Sequence, residues 1–256
     1  MATSSGDAAS EGRLDLHGRT ALVTGGAVRV GRAISLALAD AGARVVIHYK
    51  ASEEPALGLA QEIRDAGGEA ATVGADLSSM EDVRRLDRTA EEPFGPIDIL
   101  VNNASVFPGD PLADVEPALW DETMAVNLRA PFFLTQGIGG RMKTRGYGVI
   151  VNMADLAGMQ AWNGYAAHAI SKAGLVHLTR VAARALAPEV RVVGIAPGTI
   201  LPPEDLSDAE VRHLADRAPL RRIGSPRDAV DALLYLVGAD FVTGEVLVVD
   251  GGRMLR

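Results

Sequence analysis

Apolar residues in this chain follow two rhythms. Short, almost unbroken apolar runs occur at Ala21–Thr24, Val45–Tyr49, Ala71–Gly74, Ile97–Asn102, Gly148–Met153, Val190–Ile195 and Val246–Val249. Several lack the polar alternation of a half-exposed strand, which predicts strands covered by helices on both faces. Longer Ala- and Leu-rich stretches between them predict helices near 30–42, 53–67, 79–92, 114–143, 163–187 and 226–238. This alternation predicts an α/β fold: a doubly wound parallel sheet of about seven strands in a single domain, 13–256. No internal repeat or linker divides it. Residues 1–12 are small and polar and are expected to form a flexible N-terminal tail. The segment 199–224, with Pro202, Pro203, Pro219 and five acidic residues, is expected to be a mobile flap over a site.

Composition narrows the partners. Hydrophobic residues make up 48% of the 256 positions but aromatics only 4%, so the core must be built from Ala, Val, Leu and Ile. A formal charge of −8, from 25 basic and 33 acidic residues, argues against nucleic acid or an anionic membrane as partner. The absence of Cys excludes disulfides, thiol catalysis and Cys-ligated metals. No window approaches the roughly 18 apolar residues of a membrane span, and no apolar signal segment opens the chain. A soluble, cytoplasmic protein acting on a small molecule is expected. His17, His177 and His213 have no companions at metal-ligand spacing, so no metal site is expected. Ser171 has no nucleophile elbow around it, which argues against a hydrolase.

Chemistry concentrates in two places. Thr24-Gly25-Gly26-Ala27-Val28-Arg29-Val30-Gly31 follows the first strand and opens a helix. Glycines there permit a tight turn and close approach of a pyrophosphate, and the helix N-terminus supplies amide donors. The second strand ends His48-Tyr49-Lys50-Ala51-Ser52, without the acidic residue that would bond a ribose 2′-hydroxyl. Arg29, Lys50 and Ser52 could receive a 2′-phosphate instead, so NADP(H) is favoured over NAD(H). The second place is Tyr165-Ala-Ala-His168-Ala-Ile-Ser171-Lys172, where His168 stands one helical turn before Lys172.

With these motifs the chain from about Arg13 to Arg256 resembles a short-chain dehydrogenase/reductase of Rossmann type. The resemblance rests on the Gly-rich turn, Ala75-Asp76-Leu77, Asn102-Asn103-Ala104-Ser105, Asn127, Pro197-Gly198, and Thr243-Gly244 with Asp250-Gly251-Gly252. Four details look like the pteridine reductase branch: Arg29 in place of the middle Gly, His48-Tyr49 followed by Ser52, Ser105-Val106-Phe107-Pro108, and Asp155 where most relatives carry a catalytic Ser. The resemblance implies that Gly25, Arg29, Val30, Gly31, His48, Tyr49, Lys50, Ser52, Asp76, Leu77, Asn103, Ala104, Ser105, Lys172, Pro197 and Gly198 bind the cofactor. Asp76 would accept from the adenine amino group, Asn102 would line the adenosine side, and Lys172 would hold the nicotinamide ribose. Phe107 would stack on a flat heterocycle, Arg29 would face its polar edge, and Tyr165 would form pocket wall. Asn127 would belong to the catalytic set or organise a helix bend. It also implies a homotetramer, with the tail Arg253–Arg256 in reach of a neighbouring subunit's site.

His168 is the departure, because it occupies the position of the family's catalytic Tyr. Reduction needs hydride from nicotinamide and a proton on the developing anion. The Lys172 charge pushes His168 toward neutrality, whereas an ionised Asp155 favours the cation and orients the tautomer. Three readings stay open: proton donation by His168 with Asp155, a different donor (Asp155 or Tyr165 through water), or an NADPH-binding protein without turnover. For the substrate, a dihydropterin or dihydrofolate-like heterocycle leads and a 3-oxoacyl or simple ketone is the alternative.

Overall fold

Continuous apolar strands can be stable only where both faces are covered, and the computed structural model, which describes residues 14–202 and 207–255, has that architecture. Seven strands, β1 (Thr20–Val23), β2 (Arg44–Tyr49), β3 (Ala70–Gly74), β4 (Ile99–Asn102), β5 (Gly148–Met153), β6 (Val190–Pro197) and β7 (Val246–Val249), form one sheet in the order β3-β2-β1-β4-β5-β6-β7. Every neighbouring pair is parallel. Alternate side chains along each strand enter opposite cores. Val23, Val45, Ile99, Val151 and Val193 pack with helices α1 (Arg29–Asp40), α2 (Glu53–Asp65) and α8 (Pro226–Gly238). Leu22, Val46, Leu100, Ile150 and Val192 pack with α3 (Met80–Thr89), α5 (Ala130–Arg145) and α6 (Ala166–Leu186). No helix among the described residues is long and apolar enough to cross a membrane.

The strands fall where expected, with ends shifted by a residue or two: β1 ends at Val23, β6 runs on to Pro197, and the run from Ile97 begins its strand at Ile99. Just before it, the Asp98 carboxylate accepts from the Thr20 amide at 3.1 Å. The single helix expected over 114–143 is instead two, α4 (Pro117–Met124) and α5, joined by a π turn over Ala125–Arg129. Pro117 sets the start of α4. Pro131 has no N–H to donate to the carbonyl four residues earlier, that of Asn127, so the helix widens there and presents the Asn127 side chain inward. The helix expected over 163–187 begins only at Ala166.

Two expectations meet undescribed residues. The tail 1–12 lies wholly outside the described residues, and so do residues 203–206 of the expected flap. The rest of that segment is partly ordered structure that hydrophobic pattern did not reveal: helix α7 (Asp208–Asp216), opened by a reciprocal cap between Ser207 and Glu210. Ile200 pairs with Gly224, closing the segment at its base.

Between β1 and β4 the winding of the sheet reverses, which opens a crevice at the carboxyl ends of the strands. The turn after β1 is tied there from beneath. The Gly25 amide donates to His48 Nδ1 at 3.0 Å, and His48 Nε2 lies 3.0 Å from the Ala75 carbonyl. Nδ1 accepts and Nε2 donates, so the fold requires the neutral ring. Burial dominates and brings the His48 pKa down to about 4, against weaker opposition from the Ala75 carbonyl and Asp76. Unfolded imidazole takes its proton near 6.5, so between 6.5 and 4 the unfolded chain binds more protons. The stability His48 contributes is complete above pH 6.5 and is lost as pH falls through about 4, by on the order of 3 kcal/mol. Urea unfolding at pH 7 and pH 4.5 should therefore show a larger acid loss in the native protein than in His48→Asn, whose amide keeps donor and acceptor without titrating. An equal loss in both would assign the acid sensitivity to other groups.

Candidate active site

The crevice has two lobes. Gly25, Val28, Arg29, Val30, Gly31, His48, Lys50, Leu77, Asn103, Ala104, Ser105, Val106 and Val126 line a cleft of about 330 Å³ over the β1–α1 turn. Two close approaches explain its glycines. A Cβ on Gly31 would lie 2.0 Å from the Gly25 carbonyl oxygen, and one on Gly25 would lie 3.1 Å from Ala104 Cα. Thr24 locks the turn to β4: its hydroxyl donates to the Val101 carbonyl and accepts from the Asn103 and Ala104 amides at 2.9 and 3.0 Å. The Asn103 side-chain amide then donates to the carbonyls of Thr24 and Gly25. Arg29 adopts φ +52°, the left-handed conformation a Gly would supply, and its guanidinium donates to the Leu201 carbonyl. The amide-rich turn, the room left by Gly25 and the exposed cations Arg29 and Lys50 fit a dinucleotide phosphate.

Several expected cofactor residues stand elsewhere. Asn102 does not line the adenosine side. It is buried and heads a polar chain through the interior, donating to Asn152 Oδ1 at 2.8 Å, while Asn152 donates to Thr179. Tyr49 and Ser52 are not among the residues lining the cleft; the Tyr49 hydroxyl donates to Glu53, and Ser52 stands at the start of α2. His48 does border the cleft, but from beneath the turn, buried against the Gly25 amide. Asp76 is at the rim, paired with Lys50 at 2.9 Å. Partial burial works against its charge, but the Ser78 hydroxyl and amide and the Lys50 ammonium overcome it and bring the carboxyl down to about 2. Pro197 and Gly198 line the second lobe.

That second lobe, about 650 Å³, is walled by Phe107, Asp155, Trp162, Tyr165, Pro197, Gly198, Arg217 and Arg253 among others, and Arg29 borders both lobes. Phe107 and Tyr165 stack at 4.6 Å, with Trp162 edge-on to Tyr165 at 6.0 Å. One face of Phe107 is thus already used by Tyr165. Trp162 and Arg217 carry no local pattern that marks them, since separate loops bring them together with Arg253. Arg253, part of the tail expected near a site, lines the cleft of its own chain; Arg256 lies outside the described residues.

Beside this lobe stand the residues of the α6 motif. His168 is 1% exposed and its ring meets the Phe107 ring edge-on at 4.5 Å. Nδ1 lies 3.1 Å from the Val106 carbonyl, so it carries a hydrogen and directs Nε2 toward Asp155 Oδ2, 3.6 Å away. Among the described residues Nε2 has no hydrogen-bond partner. Asp155 is itself oriented, its Oδ1 accepting from the Ala157 amide at 2.7 Å. Asn127, presented by the π turn, accepts from Ser105 Oγ and the Val106 amide and donates to the Val106 carbonyl and Ser171. It braces the loop that holds His168. One turn further, the buried Lys172 ammonium donates to the Met153 carbonyl at 2.8 Å. Burial lowers its pKa to about 8, and Asp155 partly restores the charge.

Known proteins share this framework. A family model described as enoyl-(acyl carrier protein) reductase matches residues 26–253. The L-rhamnose 1-dehydrogenase (NAD(P)(+)) of Azotobacter vinelandii is 38% identical over 249 residues, covering 93% of this chain and 97% of that protein. The 3-oxoacyl-[acyl-carrier-protein] reductase FabG of Staphylococcus epidermidis is 31% identical over 242 residues, covering 93% and 99%. Among solved structures, FolM alternative dihydrofolate reductase 1 from Brucella suis, in complex with NADP, superposes with a TM-score of 0.88 at 36% identity, covering 93% of this chain and 96% of that one. Likeness over nearly the whole chain, in sequence and in fold, identifies this protein as a member of the short-chain dehydrogenase/reductase family of NAD(P)-using oxidoreductases.

Proposed function

We propose that this protein is an NADPH-dependent reductase of a flat, polar heterocycle of the dihydropterin or dihydrofolate kind. The observation that carries the reading is the pairing of His168 Nε2 with Asp155 Oδ2 at 3.6 Å, beside an aromatic wall of Phe107, Tyr165 and Trp162. NADPH bound in the crevice would supply the hydride. Arg29 and Lys50 receive its 2′-phosphate, the Gly25–Gly31 turn holds the pyrophosphate, and Asp76 and Leu77 border the adenine. Lys172, fixed on the Met153 carbonyl, holds the nicotinamide ribose hydroxyls.

The proton comes from the His168–Asp155 pair. With Nδ1–H committed to Val106, the imidazole binds its mobile proton at Nε2, toward Asp155. Asp155 is the member that lines the lobe, so the proton leaves His168 through the Asp155 carboxyl to the heterocycle. Asn127 positions the pair through the Val106 segment. The stacked Phe107–Tyr165 pair offers the free faces of its rings as a platform for a planar substrate, and Arg29 faces that substrate's polar edge. The FolM likeness supports the heterocycle, and the FabG likeness supports the alternative, a 3-oxoacyl substrate. The active unit is a homotetramer by family analogy.

NADPH oxidation should be measured against dihydropterins, dihydrofolate, diketones and 3-oxoacyl thioesters, with NADPH binding followed in parallel. Turnover of the pterin class is expected. His168→Ala and Asp155→Asn should each lower kcat about 10²–10⁴-fold while NADPH still binds. Tight NADPH binding without turnover of any substrate would overturn the enzyme reading, and turnover of 3-oxoacyl thioesters alone would replace the heterocycle.

Lys172 generates a second expectation. Its charge is present below about pH 8 and absent above it, so the affinity for NADPH should fall as pH rises through about 8. A Lys172→Arg variant, charged throughout, should lack that alkaline limb even where its turnover is reduced. A limb that persists in the variant would remove Lys172 from cofactor binding.

A further inference from the structure

Two cavities meet at one pair of guanidinium groups. Arg217, directly after α7, and Arg253, in the C-terminal turn, line the 650 Å³ lobe and also an adjoining depression of about 330 Å³ completed by Gln160, His213 and Asp216. Arg253 is held in place: Nη1 donates to Thr199 Oγ1 at 2.7 Å, and the guanidinium lies 4.9 Å from the Trp162 ring centroid. Burial and the neighbouring Arg217 charge both work against the Arg253 charge, with weaker relief from Asp155 and Asp250. Two like charges on one wall raise each other's energy, and an anion shared between them removes that cost.

Asp250 and Asp155 each carry bonds to backbone amides as well as their weaker pull on Arg253. Asp250 accepts from the Gly252 and Met254 amides, both at 2.7 Å. Asp155 accepts from Ala157 and faces His168. Asp216, on the depression side, has interactions of its own. His213 adds a further nitrogen donor beside the arginines. The lobe therefore brings together the proton-delivering Asp155, an aromatic wall and the cationic pair Arg217 and Arg253.

We infer that the substrate carries, besides its reducing centre, an anionic group, a carboxylate or phosphate, and that Arg217 and Arg253 hold it. The inference rests on the reductase reading for the placement of the reacting ring, but the anion site stands on its own residues. It sorts substrates within one chemical class. A heterocycle with an acidic tail is preferred to one with a neutral tail, and a phosphate-bearing thioester is preferred to its truncated analogue.

Two matched pairs test it on the full-length protein with NADPH: 7,8-dihydrofolate against 7,8-dihydrobiopterin, and acetoacetyl-CoA against the N-acetylcysteamine thioester of acetoacetate. In the pair that is turned over, the anionic member should have a KM about tenfold or more lower than its neutral counterpart. Arg217→Ala should remove most of that ratio while leaving the difference in kcat small. Because Arg253 also braces Thr199 and Trp162, Arg253→Lys, which keeps the charge, should keep part of the ratio, whereas Arg253→Gln should lose it. Calorimetric titration of the NADP⁺-loaded protein with folic acid and with biopterin reads the same site without turnover. Folic acid bound more tightly in an Arg217-dependent manner, with no turnover of any substrate, would sustain the anion site and sink the reductase reading. Turnover of both members with equal KM, unmoved by Arg217→Ala, would overturn the anion site and leave the reductase reading intact.

Discussion

Where the sheet reverses its winding between β1 and β4, backbone amides and carbonyls emerge into a crevice and must be paired within the protein or left for a ligand. Most of the site follows from how this chain meets that constraint. Thr24 and Asn103 pair the groups on the β4 side of the turn, and neutral His48 pairs those on the β2 side. Gly31 lets the first turn of α1 press against the Gly25 carbonyl, closer than any side chain would permit. Above the turn the cleft of about 330 Å³ stays open. A buried, satisfied polar frame of this kind is stiff, and stiffness here preserves the geometry a cofactor needs.

The same constraint shapes the reacting end. Pro131 costs the helix one backbone bond, the helix answers with a π turn, and the turn carries Asn127 into the interior. Asn127 then closes the hydrogen bonds of Val106, whose carbonyl orients His168. A defect in one helix thereby determines which nitrogen of an imidazole faces Asp155. A buried ammonium at Lys172 and an imidazole facing a carboxylate at His168 and Asp155 stand side by side. On the proposed reading the two functions separate, Lys172 serving the cofactor and His168–Asp155 the proton.

The second lobe combines a carboxylate, an aromatic wall and a cationic pair. The aromatic wall is made of few residues, as the 4% aromatic content requires, and eight of the chain's eleven Phe, Trp and Tyr side chains lie elsewhere. The cationic pair is built by Arg217 from the segment after β6 and Arg253 from the last turn of the chain. On the proposed reading, substrate choice and cofactor choice are carried by different parts of the fold.

The order of strands and helices, the dinucleotide turn and the α6 motif were legible in the sequence, because each is a local pattern of apolar spacing or glycine placement whose physical cause lies within a few residues. The break between α4 and α5 was also written locally, in Pro117 and Pro131, although an apolar stretch reads through them as one helix. Other features had no local signature. Asn102 and Asn103 are adjacent and chemically identical, and only the alternation of β4 sends one into the core and the other to the cleft. His48 looked like a phosphate-side residue until burial put it beneath the turn. The meeting of Trp162, Arg217 and Arg253 depends on long-range packing of loops that no window contains. The sequence by itself determined the sheet, its handed winding and the chemical groups available. Tertiary structure alone decided which nitrogen faces which oxygen and which charges share a wall, because burial and distance are properties of the packed chain and not of any segment.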